Sequence, residues 1–345
     1  MGEVGEVGIL MRLTNWRVNR FNGWSEPVHS RSLLTIFLFL RSRPRKGIMR
    51  TDCHQHLWPA AFVDALRART QNPRLQGWEL LVDGEAPYAV DPLAHDPEIR
   101  RTRETLEGKD QVLLSLSSPL GIEHLPYEES RELIEIWHHC AIELGDPFLL
   151  WAATPVSSFD LDGLARILDH DRVVGLQLPA TALADPVAIL RMQPVLDLLQ
   201  ASDKPLLIHP GPAPATAGTP SWWPALVPYV SQLHASWLAW HAVGRAQHPT
   251  LRVAFVALAG LAPLHHERLA ARGGTFGAVD PLVYYETSSY DTRAIDATIR
   301  VVGVDPIIHG SDRPYAEPRD PGLGHAFTHA LFSANPQHLL KGTPR

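Results

Sequence analysis

Short apolar runs alternate with helical stretches from residue 49 onward, and this alternation constrains the fold more than any other feature. Such runs are typical of strands that are buried on both faces of a parallel sheet. Eight strands are predicted, at residues 49–55, 111–116, 148–153, 173–178, 205–208, 251–257, 283–286 and 306–309. Because a helix or a long loop follows each one, the pattern predicts an α/β fold, a (β/α)8 TIM barrel.

A second, smaller pattern interrupts the first strand–helix unit. Residues 78–82 and 86–90 read as two short strands joined by Asp83 and Gly84. An Asp-Gly pair between such runs is typical of a hairpin turn, since glycine tolerates positive φ. We therefore expect a small β-hairpin insertion after strand 1.

The first 48 residues differ from the rest in composition. They carry eight basic residues, against Glu3, Glu6 and Glu26. Their apolar run, at residues 33–40, is far shorter than the roughly 20 residues that a transmembrane helix needs. We interpret residues 1–48 as a disordered basic extension or an over-extended start, so that a single domain occupies residues 49–345. A basic tail that docks elsewhere is the alternative.

Charge and cysteine content limit the partners and the compartment. The formal net charge is −6, and no long acidic or basic block follows residue 50. A nucleic-acid-binding surface would need clustered basic residues, so we expect a small-molecule substrate and neither nucleic acid nor membrane as partner. The two cysteines, Cys53 and Cys140, fit the reducing cytoplasm.

Candidate metal ligands lie at the ends of three predicted strands. His54 and His56 are two residues apart on strand one, so their side chains share a face. His209 ends strand five, and Asp312 follows strand eight. In (β/α)8 barrels, functional residues collect at the C-terminal ends of the strands. Three imidazoles and a carboxylate at one mouth therefore predict a mononuclear metal site.

Three motifs surround these residues: Asp52-Cys53-His54-Gln55-His56-Leu57, Leu206-Leu207-Ile208-His209-Pro210 and His309-Gly310-Ser311-Asp312-Arg313-Pro314. Together they resemble those of a known family, the amidohydrolase-related barrels of the branch that includes aminocarboxymuconate semialdehyde decarboxylase. The resemblance implies that His54, His56, His209 and Asp312 bind one divalent metal ion, zinc first, with manganese or iron as alternatives. It also implies that Asp312 accepts a proton from metal-bound water, and that a homodimer is possible.

One position departs from the family pattern. The family usually carries His-x-Gly-Gly after strand six, whereas this chain has Ala257-Leu258-Ala259-Gly260 there. An acid or electrophile of that kind is typically worth about a hundredfold to ten-thousandfold in rate. Three interpretations remain open: another side chain substitutes, the chemistry does not need it, or catalysis has been lost.

Candidates for substrate contact are fewer. Arg313 could hold a substrate carboxylate through its planar guanidinium, with a surface ion pair to Glu317 or Asp320 as the alternative. Aromatic side chains in mouth loops could wall a flat substrate, or merely cap the core. The remaining candidates for substrate binding are Trp58, Trp222, Trp223 and Gln177. Ser288 and Ser289, which follow strand seven, are further possible polar contacts.

These residues lead to three functional hypotheses. The first is a metal-dependent hydrolase of a small organic acid, amide or lactone, in which Asp312 takes a proton from water that attacks a carbonyl. The second is a metal-dependent non-oxidative decarboxylase of an aromatic or enoic acid. The third is a non-catalytic barrel that binds a small ligand.

Overall fold

The computed structural model describes residues 49–342 except residues 84, 215, 217 and 276–278. Eight parallel strands form the central sheet, and they pair in chain order from first to last. They are β1 (Thr51–Gln55), β5 (Gln111–Leu114), β6 (Phe148–Ala152), β7 (Val173–Pro179), β8 (Leu206–His209), β9 (Val253–Phe255), β10 (Val283–Glu286) and β11 (Ile307–Ile308). This arrangement confirms the predicted (β/α)8 barrel.

Backbone hydrogen bonds join the last strand to the first. The Cys53 N–H donates to the His309 carbonyl at 2.8 Å, and the Asp312 N–H donates to the His54 carbonyl at 3.0 Å. Gln55 and Arg313 form a parallel bridge beyond these bonds. The ring therefore closes at the C-terminal ends of β1 and β11, where the candidate ligands lie.

Helices surround the strands. In chain order they are α1 (Ala60–Ala68), α2 (Pro97–Leu106), α3 (Tyr127–Glu143), α4 (Leu161–Leu168), α5 (Pro186–Ala201), α6 (Trp223–Leu226), α7 (Pro228–Ala239), α8 (Arg245–Gln247), α9 (His266–Ala270), α10 (Thr292–Val302), α11 (His325–His329) and α12 (Asn335–Lys341). Several of these helices have an aspartate as the N-cap residue. Asp96 accepts the N–H groups of Glu98 and Ile99 ahead of α2, and Asp185 caps α5 in the same way.

The insertion after β1 is a three-stranded antiparallel sheet. It comprises β2 (Arg74–Gln76), β3 (Glu79–Leu81) and β4 (Tyr88–Ala89), paired in that order. The predicted hairpin corresponds to β3 and β4, but residues 82–87 connect them in place of a two-residue turn. Strand β2 was not predicted, because three residues are too few for an alternating pattern to be recognised.

The sequence pattern also predicts helices at residues 225–246 and 264–272, and both differ from the structure. The helix expected at residues 225–246 is divided into α6, α7 and α8, since Pro228 begins α7 and a π-helical turn, Trp240–Gly244, follows it. The segment after β9 forms a turn in which residues 257–261 all have positive φ, between 48° and 68°. Only α9 remains of the helix predicted at residues 264–272.

The predictions about the chain termini are not tested. Residues 1–48 lie outside the described residues, and a single domain at residues 49–345 stays a prediction. Among the helices in the described part of the chain, none has the length and apolar character of a membrane span.

Candidate metal centre and barrel mouth

The structure brings the four predicted ligands together at the C-terminal mouth of the barrel. His54, His56, His209 and Asp312 each offer a ligand atom within 4.8 Å of the others. The Nε2 atoms of His54 and His56 are 3.1 Å apart, and Oδ1 of Asp312 lies 3.2 Å from Nε2 of His56. The three rings meet at steep angles with centroids 4.8 to 5.2 Å apart, so their edges converge and do not stack.

Hydrogen bonds to carbonyl groups set the tautomers of two histidines. Nδ1 of His56 donates to the Ser115 carbonyl at 2.9 Å, and Nδ1 of His209 donates to the Pro210 carbonyl at 2.8 Å. A carbonyl oxygen can only accept, so each Nδ1 carries the hydrogen and each Nε2 keeps its lone pair. Burial lowers the pKa of both rings, that of His209 well below its usual range. Both are therefore neutral ligands.

His54 is oriented by Glu286, which the sequence reasoning missed. Oε2 of Glu286 lies 3.5 Å from Nδ1 of His54, and the carboxylate is fully buried. Burial lowers the pKa of His54, but the hydrogen bond and the charge of Glu286 outweigh this and raise it. A carboxylate behind a histidine fixes the ring and increases its basicity as a ligand. An acidic residue at the end of an apolar strand was the signal that could have revealed it.

The chain around Glu286 holds its carboxylate in place. The N–H and hydroxyl groups of Ser288 donate to it at 2.6 and 2.7 Å, and the Ala257 N–H donates at 3.1 Å. A Cβ atom at Gly310 would overlap the Glu286 side chain, so only glycine fits there. Ala257, where the family has histidine, thus contributes its backbone N–H to the group behind His54.

The donor set fits a divalent cation. The Nε2 atoms of His54 and His56 lie 3.1 Å apart, close enough to bind one cation together. Three imidazole nitrogens and one carboxylate suit zinc, manganese or iron. The histidines are at most 6% exposed, whereas the Asp312 side chain is 20% exposed and can be reached from the mouth.

Asp52 ties together the two segments that carry the ligands. Its Oδ1 accepts the Ser311 N–H at 3.0 Å and the His54 N–H at 3.4 Å. Its Oδ2 accepts from Lys109 at 3.2 Å and from Gln55 at 2.8 Å. Burial raises the pKa of Asp52, but the charges of Lys109 and His309 outweigh this effect. The net pKa lies well below the usual value, so the carboxylate is ionised.

Arg313 belongs to a buried group of ion pairs, and its role in holding a substrate carboxylate stays a prediction. Its guanidinium is buried, 3.1 Å from Glu104, 2.8 Å from Glu107 and 3.4 Å from Glu317. The alternative, an ion pair with Glu317, is what the structure contains, although it is buried and extended by two glutamates of the α2 region. Both terminal nitrogens of the Arg313 guanidinium therefore already pair with carboxylates.

Two other candidates for substrate contact, Trp58 and Gln177, are buried. Trp58 is 1% exposed, stacks on His95 with centroids 4.5 Å apart, and donates to the Ser117 hydroxyl. Gln177 is fully buried and donates to the Leu116 carbonyl at 2.7 Å. The role of both residues in substrate binding stays a prediction.

Trp222 and Trp223 lie at the start of α6, after the long loop that follows β8. Their rings are 6.0 Å apart, and Trp222 is 48% exposed. Their role in substrate binding stays a prediction.

Tyrosines that the sequence reasoning did not select surround the approach to the cluster. The Tyr315 ring lies 5.3 Å from the His56 ring, and the Tyr88 ring of β4 lies 6.4 Å from Tyr315. The Tyr229 hydroxyl of α7 donates to Glu85 at 2.5 Å. No sequence pattern marks these side chains, because they meet only when the inserted sheet folds over the barrel.

Comparison with known proteins gives structural matches only. No model of a protein family matches the chain, and no curated protein does. IDCase from Metarhizium anisopliae, in apo form, has a TM-score of 0.72 at 16% identity, over 86% of this chain and 98% of its own. A 5-carboxyvanillate decarboxylase from Novosphingobium aromaticivorans, with manganese and 3-methoxy-4-hydroxy-5-nitrobenzoic acid, has a TM-score of 0.67 at 16% identity, over 88% and 99%.

A third match is 2,6-dihydroxybenzoate decarboxylase complexed with 2,6-dihydroxybenzoate. Its TM-score is 0.64 at 16% identity, over 85% of this chain and 99% of its own. Identity at this level establishes a common fold and leaves activity open. The predicted structural resemblance is confirmed at the level of the fold: the chain shares its barrel fold with IDCase and with these two decarboxylases.

Proposed function

We propose that this protein is a metal-dependent, non-oxidative decarboxylase of an aromatic or enoic acid. The observation that carries the proposal is the convergence of His54, His56, His209 and Asp312 at the barrel mouth. The named enzymes with the same fold support it, since two are decarboxylases of benzoate derivatives and one contains manganese. They favour this alternative over the hydrolase that we expected first.

A divalent ion in this site would act as a Lewis acid that holds and polarises the oxygens of the substrate. The manganese of the Novosphingobium structure makes manganese a stronger candidate than the zinc we expected first. The chain itself supplies two neutral imidazoles, His56 and His209, whose lone pairs point inward. Glu286 orients the third, His54, and the mostly buried surroundings exclude water.

Asp312 is the candidate proton carrier. In the overall reaction the bond to the carboxyl carbon breaks, CO2 leaves, and the electron pair stays on the substrate carbon, which then takes a proton. Of the four clustered side chains, that of Asp312 is the most exposed. Because substrate can reach this carboxyl group most easily, it could deliver the proton to the reacting carbon.

Turnover of an aryl-acid panel by protein loaded with Mn²⁺ tests the proposal. We expect CO2 release with formation of the decarboxylated arene, and a loss of about a hundredfold or more in Asp312→Asn. Asp305→Asn, an exposed aspartate before β11, is the matched control and should keep full activity. Hydrolysis of a lactone or amide panel without CO2 release would contradict the proposal in favour of the hydrolase.

Metal content and turnover together distinguish the third hypothesis, a non-catalytic barrel, from the two enzyme hypotheses. Protein that binds manganese, zinc and iron only weakly, and turns over neither panel, would be a ligand-binding barrel. Homodimerisation, a cytoplasmic location and the absence of nucleic-acid or membrane partners stay predictions.

A further inference from the structure

The inserted sheet covers one side of the mouth. Tyr88 of β4 packs near Tyr315, and Tyr315 lies against His56. The connection between β3 and β4 carries Glu85, which is partly buried. The insertion therefore brings an acidic side chain to the approach that leads to the cluster.

Glu85 is held there by a residue from the opposite side. The Tyr229 hydroxyl, on α7, donates to Oε1 of Glu85 at 2.5 Å, so the insertion and the barrel helix meet across the mouth. Burial raises the pKa of Tyr229, and the charges of Glu85 and Asp312 raise it further. Burial also raises the pKa of Tyr315, on which the same two carboxylates act. Both hydroxyls therefore lie close enough to Glu85 and Asp312 to interact with their carboxylates.

The basic side chains behind the ligand segments do not offset this charge. Arg313 is engaged with Glu104, Glu107 and Glu317, and Lys109 with Asp52. Arg100 is buried and donates to the carbonyls of His56 and Ala94. Each of these three cations is thus engaged with groups other than Glu85.

We propose that Glu85 is a specificity-determining residue that admits acids with a single carboxylate and excludes those with a second. This inference rests on the proposed function, because it places the reacting carboxylate at the metal cluster. The other end of the substrate then approaches Glu85 and Tyr229. A second carboxylate there is repelled by Glu85, whereas a hydroxyl or amino group can donate a hydrogen bond to it.

Equilibrium binding tests the proposal without requiring turnover. Calorimetry on protein loaded with Mn²⁺, at a pH of about 8 where carboxylates are ionised, would compare 3- and 4-hydroxybenzoate with isophthalate and terephthalate. We expect the hydroxybenzoates to bind tighter by on the order of tenfold. Glu85→Gln keeps the acceptor for Tyr229 and should remove most of that difference by strengthening dicarboxylate binding.

Glu79→Gln is the matched control, since Glu79 is exposed on β3 of the same insertion. It should leave the ratio of the affinities unchanged. A second measurement uses the unmodified protein at high salt. Because salt screens the charge of Glu85, the difference in affinity between the hydroxybenzoates and the dicarboxylates should become smaller.

The outcomes separate the two proposals. Equal binding of the two ligand classes by the unmodified protein, or an unchanged ratio in Glu85→Gln, would overturn the role of Glu85 alone. Selective binding of hydroxybenzoates without any CO2 release would support the role of Glu85 while overturning the decarboxylase proposal. Failure of all four acids to bind would overturn both.

Discussion

Oδ1 of Asp52 accepts a hydrogen bond from the Ser311 N–H at 3.0 Å, across 259 positions of sequence. The other oxygen, Oδ2, accepts a hydrogen bond from Lys109. One oxygen of Asp52 thus positions the segment that carries Asp312, while the other pairs with a buried cation. Asp52 therefore links the position of the metal ligands to the stability of the barrel.

We expect Asp52→Asn to affect both properties. The amide leaves the buried Lys109 without its closest carboxylate, which should reduce the free energy of unfolding by about 3 kcal/mol. Displacement of the two ligand segments should weaken metal binding by about tenfold to a hundredfold. Urea unfolding and metal titration measure the two effects, with the exposed Asp64→Asn as control. An unchanged metal affinity would contradict the linkage.

Glu286→Gln should act on metal affinity more than on stability. Glutamine keeps the size of the side chain but removes the negative charge 3.5 Å from Nδ1 of His54. We expect metal affinity to fall by about tenfold to a hundredfold, as for other residues that orient a metal-binding histidine. Competition with a chromophoric chelator would measure it. Wild-type affinity in this variant would show that His54 does not depend on Glu286.

The left-handed turn after β9 predicts a cost for alanine at Gly260. The φ angle there is +60°, and a Cβ atom would lie 3.1 Å from the Val230 carbonyl oxygen. We expect Gly260→Ala to reduce the free energy of unfolding by about 2 kcal/mol. Gly77→Ala is the control, since Gly77 has a φ of +64° but open space around it. It should lose only about 1 kcal/mol, and equal losses would mean that the contact has no effect.

Stability should depend on pH through His138. The Ala153 N–H donates to Nε2 of this buried ring at 2.9 Å, and burial lowers its pKa to about 4. Between about pH 4 and the usual value near 6.5, the unfolded chain binds a proton that the folded chain does not. The free energy of unfolding therefore rises with pH in this window, by at most about 3 kcal/mol, and the gain is complete above it.

Replacing the buried histidine should flatten this dependence. His138→Gln retains an acceptor for Ala153 but does not titrate, so its unfolding free energy should change less between pH 4 and 6.5. His139→Gln replaces the exposed neighbour, 74% exposed, and should retain the wild-type profile. Chemical denaturation at a series of pH values would compare the three proteins, and parallel curves would contradict the assignment to His138.

The strands and the metal ligands could be predicted because their signals are local. Apolar runs mark the barrel strands, and His54, His56, His209 and Asp312 follow from the rule that strand ends share one mouth. Arg313 could not be placed in this way. Its partners Glu104 and Glu107 are more than 200 positions away, so the sequence showed only the nearby Glu317.

The residues that shape the mouth depend on tertiary contacts. Tyr88 and Glu85 reach Tyr315 and Tyr229 only after the inserted sheet folds onto the barrel. The left-handed turn after β9 was not predicted, because alanine and leucine rarely adopt the positive φ that residues 257–259 have here. Within this left-handed turn, Gly260 packs against Val230, and the Ala257 N–H donates a hydrogen bond to Glu286.

The ring of strands closes where β1 meets β11, and the metal ligands come from the same two segments and from β8. Closure and completion of the site are therefore a single event during folding. A partly folded barrel that has not yet docked its last strand would hold three histidines without Asp312 or the hydrogen bonds at His54 and Asp52. High-affinity metal binding would thus report that the barrel has closed, and the ion would favour the closed ring by mass action.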